Sequence, residues 1–168
     1  AYSFPIAKIL DNFCDMILVG DSLGMTIYGH LDTIDVTVEM MIAHGRAVVK
    51  ATKKSFVIVD LPFGSYESSP EQALATSTRF FKEAGAMAVK LEGAHLATVE
   101  KLTSAGVPVM GHLGLTPQSI YKFGTYVVRA KEEQEAQRLL EDAQLLAESG
   151  CFAIVLEKIP AHLAKQVA

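Results

Sequence analysis

The sequence predicts an α/β domain built on a parallel β-sheet, either as a portion of a (β/α) barrel or as an open five-stranded sheet. Short apolar segments have the length of buried strands, and helical segments separate each of them from the next. Such continuous apolar strands are typical of a parallel sheet covered on both faces. Each segment also ends on a titratable side chain. The five segments are Met16–Asp21, Phe56–Asp60, Met87–Glu92, Val107–His112 and Phe152–Glu157.

Hydrophobic periodicity and helix-end signals predict the elements between these strands. After the first strand, Val36–Lys50 has a roughly helical period. After the second, Ser69 and Pro70 are a typical N-cap and first helical residue, and this helix should end at Gly85. The remaining helical segments are predicted at His95–Ser104, from Thr116 and Pro117 onward for one turn, at Lys131–Ser149 and at Ala161–Ala168.

The number of strands decides how we interpret this architecture. Five strands and a further stub at Ala1–Ser3 fall short of a complete eight-stranded barrel, which takes ~250 residues. Residues 161–168 form a helix-like end with no strand after it. With no repeat or linker, residues 1–168 are predicted to be a single barrel domain, incomplete at the C-terminus and at the N-terminus. The open sheet remains the alternative.

Composition limits the classes of partner. The chain has 168 residues, half of them hydrophobic, and a formal net charge of −4, which indicates a folded domain with a sizeable core. Because it lacks a concentrated basic run, nucleic acid and anionic membranes are not expected partners. No apolar stretch reaches the ~20 residues of a membrane helix. Cys14 and Cys151 lack metal-type spacing and are expected to be reduced, so a cytoplasmic location is predicted.

The polar strand ends are the candidate functional residues. Barrels and open α/β sheets build their sites at the carboxyl ends of parallel strands. Four of the five strand segments end on a carboxylate, and such an oxygen-rich cluster suits a hard divalent cation. Each residue also has a plain structural explanation. Asp21 would lie in a turn, Asp60 would cap a loop, Lys90 and Glu92 would form an ion pair, and His112 would be a packing residue.

Three details of this cluster indicate which substrate and reaction it suits. Glycines on both sides of Asp21 and Ser22 would let a backbone N–H and the hydroxyl face a small anion such as a carboxylate. Lys90 and Glu92 lie two apart and so should point to the same face. Glu157 follows an apolar run, and desolvation should raise its pKa toward that of a general base, although burial against a lysine is the competing explanation. Together these groups suit a metal-bound 2-oxo acid that loses a proton beside its carbonyl.

Four segments make the pattern more specific. They are Val19–Met25 (VGDSLGM), Asp60–Phe63 (DLPF), Val89–Gly93 (VKLEG) and Gly111–Ser119 (GHLGLTPQS). With these segments the chain resembles the ketopantoate hydroxymethyltransferase family over essentially its whole length. The resemblance implies a (β/α)8 TIM barrel of the phosphoenolpyruvate/pyruvate superfamily and a homo-oligomer, commonly a decamer. It also implies Mg²⁺ as cofactor and 5,10-methylenetetrahydrofolate as co-substrate.

The resemblance also implies roles for individual residues. The implied reaction is hydroxymethyl transfer to 3-methyl-2-oxobutanoate, giving 2-dehydropantoate in pantothenate biosynthesis. Alternatives are another Mg²⁺-dependent 2-oxo acid lyase or mutase of the same superfamily, or a non-catalytic paralogue or fragment. The implied metal ligands are Asp21, Asp60 and Glu92, the implied substrate-binding residues are Asp21, Ser22, Asp60, Lys90 and His112, and the implied catalytic residues are Lys90 and the general base Glu157.

Overall fold

The computed structural model describes residues 1–168, and its centre is one sheet of five parallel strands in the order β1-β2-β3-β4-β5. Because the spatial order follows the chain order, the sheet never reverses direction as a doubly wound sheet does. The chain therefore forms a continuous part of a barrel wall, with one unpaired edge on β1 and one on β5. The strands are β1 (Met16–Val19), β2 (Phe56–Asp60), β3 (Ala88–Lys90), β4 (Val109–Gly114) and β5 (Ala153–Glu157).

The two faces of the sheet carry separate apolar layers. One face packs against the helices in a main core of 29 buried residues, which includes Val59, Val89 and Val109. The opposite face carries a small cluster of Ile58, Ala88 and Met110. Since successive side chains of a strand point to opposite faces, the apolar runs supply both layers at once. The face with the small cluster corresponds to the interior of a barrel.

Helices follow each strand, and those expected from periodicity are present within a few residues. The helix after β2 begins at Pro70, and its N-cap Ser69 accepts a hydrogen bond from the Gln72 amide at 3.1 Å. It continues as a π-helical turn over Phe80–Ala84 and ends at Gly85, whose φ of +77° favours glycine. The helices are α1 (Phe4–Leu10), α2 (Leu23–Thr26), α3 (Val38–Ala51), α4 (Pro70–Arg79), α5 (Leu96–Ser104), α6 (Ile120–Phe123), α7 (Glu133–Glu148) and α8 (Ala161–Val167).

Three local features differ from the sequence-based expectations. Ala1–Ser3 is not a strand, although the amino group of Ala1 donates to the Leu18 carbonyl oxygen at 2.7 Å, beside the open edge of β1. Strand β4 runs two residues beyond His112, so the histidine lies within the strand. Periodicity does not predict α1 and α2, because these helices have only seven and four residues. None of the helices combines the length and hydrophobicity needed to span a bilayer.

Candidate active site

A cavity of about 500 Å³ lies at the carboxyl ends of the strands. It is lined by all seven side chains that the sequence singled out, which come from strands β2 to β5 and from the loops after β1 and β3. Residues more than 130 positions apart in the sequence thus meet in one place. The seven are Asp21, Ser22, Asp60, Lys90, Glu92, His112 and Glu157.

Strand periodicity explains why these polar groups face the cavity. On four strands, an apolar residue of the inner face is followed two positions later by a polar residue that lines the cavity. Since the side-chain period of a strand is two, both members of each pair point to the barrel interior. The apolar member closes the floor and the polar member faces the cavity. The pairs are Ile58 and Asp60, Ala88 and Lys90, Met110 and His112, and Val155 and Glu157.

Lys90 is the positive centre of a buried acidic cluster. Its Nζ lies 3.1 Å from Asp60 Oδ1 and 3.8 Å from Glu92 Oε1. Asp21, Asp60 and Lys90 are each 3% exposed, and Glu92 is 4% exposed. Burial works against the charged amine, but the surrounding carboxylates Asp60, Glu92 and Asp21 raise the pKa of Lys90. The lysine therefore stays protonated at the strand ends.

The turn after β1 is held against the end of β2. The Asp21 amide donates to Asp60 Oδ2 at 3.0 Å. A Cβ at Gly20 would lie 2.9 Å from Ser22 Oγ and 3.5 Å from Asp60 Oδ2, so the absence of a side chain allows this close approach. The Ser22 hydroxyl also shares a 2.8 Å hydrogen bond with Tyr2. These contacts fix Asp21 and Ser22 at the rim of the cavity.

Gln118 and Tyr66 support the carboxylates, and the sequence assigned neither a role. Gln118 Nε2 donates to Asp21 Oδ2 at 2.8 Å and to the Leu61 carbonyl at 2.9 Å, while its backbone amide donates to Glu92 Oε2 at 3.0 Å. The Tyr66 hydroxyl donates to Gln118 Oε1 at 2.7 Å and accepts from the Glu92 amide at 3.2 Å. Gln118 thus joins two acidic residues that come from different strands. Its place in Gly111–Ser119 is the one sequence signal that pointed to it.

Gln118→Leu is expected to disturb the acidic cluster without removing a charge. The substitution leaves Asp21 Oδ2 and the buried Leu61 carbonyl without their donor, which should cost about 1–3 kcal/mol of unfolding free energy. Since Asp21 is a predicted metal ligand, affinity for Mg²⁺ should also fall roughly 10–100-fold, the usual effect of losing a partner that supports a ligand. Calorimetric titration and thermal unfolding would measure both effects. Gln137→Leu, on the exposed face of α7, is the control, and equal Mg²⁺ affinity in both variants would contradict this role.

His112 connects the acidic cluster to Glu157. Its Nδ1 lies 3.1 Å from Lys90 Nζ and 3.4 Å from Glu92 Oε1, and its Nε2 lies 3.5 Å from Glu157 Oε2. Burial opposes protonation of the ring, but the contacts with Glu157 and Glu92 raise the pKa of His112. The side chain therefore carries positive character toward both carboxylates.

The sequence predicted that desolvation would raise the pKa of Glu157, and this prediction is wrong. Its side chain is 38% exposed, because β5 is the open edge of the sheet. The adjacent His112 lowers the pKa of Glu157, which outweighs the opposing effect of partial burial. The partner of the carboxylate is thus a histidine and not the lysine considered from the sequence. Glu157 is ionised near neutral pH, so it is available as a proton acceptor.

The position of Glu157 depends on a close approach of β4 and β5. Gly114 has a φ of +91°, and a Cβ there would clash with the Glu157 carbonyl oxygen. The next amide, Leu115, donates to that same oxygen at 2.9 Å. A residue with a side chain at position 114 would therefore displace the strand end that carries Glu157. This explains the glycine at the centre of Gly111–Ser119.

The residues of the cluster fit a divalent cation. Three buried carboxylates, Asp21, Asp60 and Glu92, surround a single lysine, so the cluster carries excess negative charge. Burial and the charge of Asp60 raise the pKa of Asp21 to about 8, as expected where several acidic groups share one cation. The side chains do not already converge as a cage of three ligands. Mg²⁺ does not require one, since it binds through one or two carboxylates and keeps several waters.

Comparison with known proteins places this arrangement in a family. The profile of the ketopantoate hydroxymethyltransferase family matches residues 1–168. The 3-methyl-2-oxobutanoate hydroxymethyltransferase of Flavobacterium johnsoniae is 58% identical over 171 residues, which cover 100% of this chain and 63% of that protein. The proteins of the same name from Christiangramia forsetii and Porphyromonas gingivalis are 57% and 54% identical, again over 100% of the chain and 63% of their length. The chain thus spans less than two thirds of these curated relatives.

Solved structures agree on the fold. A crystal structure of 2,3-dimethylmalate lyase, a PEP mutase/isocitrate lyase superfamily member, has a TM-score of 0.68 at 15% identity. The match covers 99% of this chain and 60% of the lyase chain. Phosphonopyruvate hydrolase in complex with oxalate and Mg²⁺ has a TM-score of 0.67 at 14% identity. The match covers 94% of this chain and 56% of the hydrolase chain. The five strands therefore share their fold with part of each of these proteins. With the family profile matched from the first residue to the last, the chain belongs to the ketopantoate hydroxymethyltransferase family.

Proposed function

We propose that the full-length protein transfers a hydroxymethyl group from 5,10-methylenetetrahydrofolate to 3-methyl-2-oxobutanoate, giving 2-dehydropantoate, in a Mg²⁺-dependent reaction. The observation that carries this proposal is the cavity at the strand ends, where Lys90, three buried carboxylates and the ionised Glu157 meet. The name shared by relatives more than 50% identical supports the choice of substrate. The chemistry needs a charged site for a 2-oxo acid and a base beside it, and Lys90 and Glu157 of the cavity are the groups proposed for these two roles.

The predicted binding roles follow from charge and position. Ser22 and Lys90 would hold the carboxylate of the oxo acid, because a hydroxyl and an ammonium that line the cavity can both donate to it. Asp21 and Asp60 would hold the metal, with Glu92 in support. When bound, Mg²⁺ acts as a Lewis acid that polarises the ketone and so favours loss of the proton at C3. His112 borders the substrate and stays within reach of both Glu92 and Glu157.

Glu157 is the proposed general base for the C3 proton. It is the carboxylate of the cavity with the greatest exposure, so a substrate can reach it without displacing the buried cluster. His112 keeps it ionised by lowering its pKa. Lys90 offsets the negative charge that develops on the substrate oxygens, and this effect is larger in a site shielded from water. The activated C3 then forms a bond to the one-carbon unit supplied by the folate.

His112→Asn should move the pH dependence of proton abstraction in a defined direction. Because His112 lowers the pKa of Glu157, its removal should raise that pKa. A larger share of Glu157 would then be protonated in mild acid, and the acid limb of the rate profile should shift to higher pH. Exchange of the C3 proton in D₂O, followed by NMR between pH 5 and pH 8, measures this. A profile that keeps its position or moves to lower pH would exclude the coupling between the two residues.

The direct test of the proposed function is product formation by the full-length protein. NMR of a mixture of 3-methyl-2-oxobutanoate, 5,10-methylenetetrahydrofolate and Mg²⁺ should show 2-dehydropantoate, and EDTA should stop its appearance. A protein that binds the oxo acid but makes no product with the folate would refute the proposal.

Another reaction of the superfamily is the second candidate. The structural likeness to 2,3-dimethylmalate lyase and phosphonopyruvate hydrolase favours it, but at 14–15% identity this likeness concerns the fold alone. A screen of 2-oxo acids and their lyase products would distinguish the two reactions. A non-catalytic paralogue or fragment is the third possibility, and the mass of the native polypeptide addresses it. A homo-oligomer, a decamer in the family, and a cytoplasmic location stay predictions for size-exclusion chromatography and fractionation.

A further inference from the structure

Unpartnered polar atoms concentrate in the candidate active site. Eight buried side-chain nitrogen or oxygen atoms lack a hydrogen bond of good geometry, and four of them belong to residues that line this cavity. Two of the four still have charged neighbours, since Asp60 Oδ1 lies 3.1 Å from Lys90 Nζ and His112 Nε2 lies 3.5 Å from Glu157 Oε2. The other two are the hydroxyls of Thr33 and Tyr126, which have no role in the proposed reaction so far. Buried hydroxyls without partners are rare in folded proteins and call for a ligand or another explanation.

The two hydroxyls come from different loops that border the cavity. Thr33 is 0% exposed and lies between α2 and α3. Tyr126 lies between α6 and α7, and its backbone carbonyl accepts a hydrogen bond from Lys158 Nζ at 2.7 Å. The Arg129 amide in turn donates to the Lys158 carbonyl at 2.8 Å. The loop of residues 124–132 is called the tyrosine loop below. Since Lys158 directly follows Glu157, these bonds hold the tyrosine loop next to the proposed base.

The backbone at this junction is strained. Ala130 and Lys158 are the only non-glycine residues with positive φ, at +54° and +46°. Both lie where the tyrosine loop meets the end of β5. Such conformations persist only where the surrounding structure enforces them, and they are concentrated at functional sites. The loop is thus fixed in a defined position.

In the proposed reaction, no residue has yet been assigned to bind the oxygen atom of the one-carbon unit. Attack of C3 on a methylene iminium would place nitrogen on a carbon next to a fully substituted centre, from which no elimination can release the amine. The product is an alcohol, so its oxygen must already be on the one-carbon unit when the carbon–carbon bond forms. Water therefore first releases that unit from the donor amine at the oxidation level of formaldehyde. C3 then attacks the carbonyl carbon, and the electron pair of the C=O π bond moves to oxygen.

We propose that the hydroxyls of Thr33 and Tyr126 bind the oxygen of this one-carbon carbonyl and donate to it as it becomes an alkoxide. This inference rests on the proposed function. The proton that Glu157 took from C3 is returned to the new alkoxide, so the addition of aldehyde to oxo acid balances without another reactant. Burial and the nearby Asp32 raise the pKa of Tyr126, which keeps the phenol protonated as a donor. Neutral donors suit an oxygen that is uncharged before the bond forms.

Thr33→Val and Tyr126→Phe in the full-length protein test this assignment. Neither hydroxyl has a partner in the protein, and Lys158 contacts the tyrosine backbone, so both variants should unfold at or above the wild-type temperature. Condensation of the oxo acid with formaldehyde, and with 5,10-methylenetetrahydrofolate, should fall on the order of 10²-fold in each variant. Exchange of the C3 proton without donor should fall by less than about threefold, because it precedes the step that uses these hydroxyls. Tyr121→Phe, which alters an exposed tyrosine of α6 outside the cavity lining, is the matched control for condensation.

Several outcomes would overturn the assignment. Equal losses of exchange and condensation would mean that the hydroxyls serve the oxo acid or the fold. Unchanged condensation would remove them from the reaction. A loss seen with the folate donor alone, or a wild type that makes no product from formaldehyde, would show that they do not bind an aldehyde oxygen. A wild type that neither exchanges C3 hydrogen nor forms product would instead refute the proposed function itself.

Discussion

Glu157→Gln in the full-length protein is expected to slow exchange of the C3 proton of 3-methyl-2-oxobutanoate by roughly 10²–10⁴-fold, the usual contribution of a general base. The amide keeps the size of the side chain but cannot accept the proton. Binding of the oxo acid should persist, because the buried cluster around Lys90 is not altered. NMR in D₂O measures the exchange, and a titration of the oxo acid measures the binding.

The control for this variant is Glu100→Gln, which removes an exposed carboxylate from α5, outside the cavity. It should exchange the C3 proton at the wild-type rate. If Glu157→Gln did so as well, the base would have to be another residue. If it also lost binding of the oxo acid, Glu157 would be a binding residue whose effect on exchange is indirect.

Among the proposed substitutions, Asp60→Asn is expected to lower the affinity for Mg²⁺ the most. The asparagine can still accept the hydrogen bond from the Asp21 amide, so the turn after β1 should hold its shape. It removes the charge beside Lys90 Nζ, and Mg²⁺ affinity should fall by more than the 10–100-fold typical of losing an outer partner. Stabilisation by Mg²⁺ in thermal unfolding should disappear with it, because a ligand stabilises only the state that binds it.

Asp15→Asn is the matched control for the metal. Asp15 is exposed and directly precedes β1, at the end of the sheet opposite to the cavity. This variant should retain both the affinity for Mg²⁺ and the gain in unfolding temperature. Unchanged Mg²⁺ affinity in Asp60→Asn would take Asp60 out of the metal site and leave Asp21 and Glu92 as the candidates.

The fold was predictable because its signals are local. The apolar runs give strands, and Gly85 and Ser69 mark helix ends through backbone conformation and capping. What decides between a barrel and an open sheet is the order of strands in space, which depends on contacts between distant segments. Periodicity is silent on that order, so the sequence alone left both alternatives open. The resemblance to a family resolved it before the structure did.

The candidate site divides in the same way. Residues at strand ends were predictable, because the carboxyl ends of parallel strands meet and the side-chain period is two. Gln118 was not assigned a role, because it reaches Asp21 across 97 positions of sequence. Thr33 and Tyr126 lie in irregular loops, where no period fixes the direction of a side chain. The pKa of Glu157 was expected to be raised but is lowered. The sequence could not show this, because the partner His112 and the open edge of β5 are tertiary features.

The most direct test of this account is proton NMR of 3-methyl-2-oxobutanoate in D₂O, with the full-length protein and Mg²⁺ but without folate. Loss of the C3–H signal that EDTA stops is the predicted result, since the cavity brings the proposed metal-binding residues and the proposed base Glu157 together. Tetrahydrofolate is added as a control, in case the second substrate completes the site. A C3–H signal that persists with metal and folate both present would contradict the account.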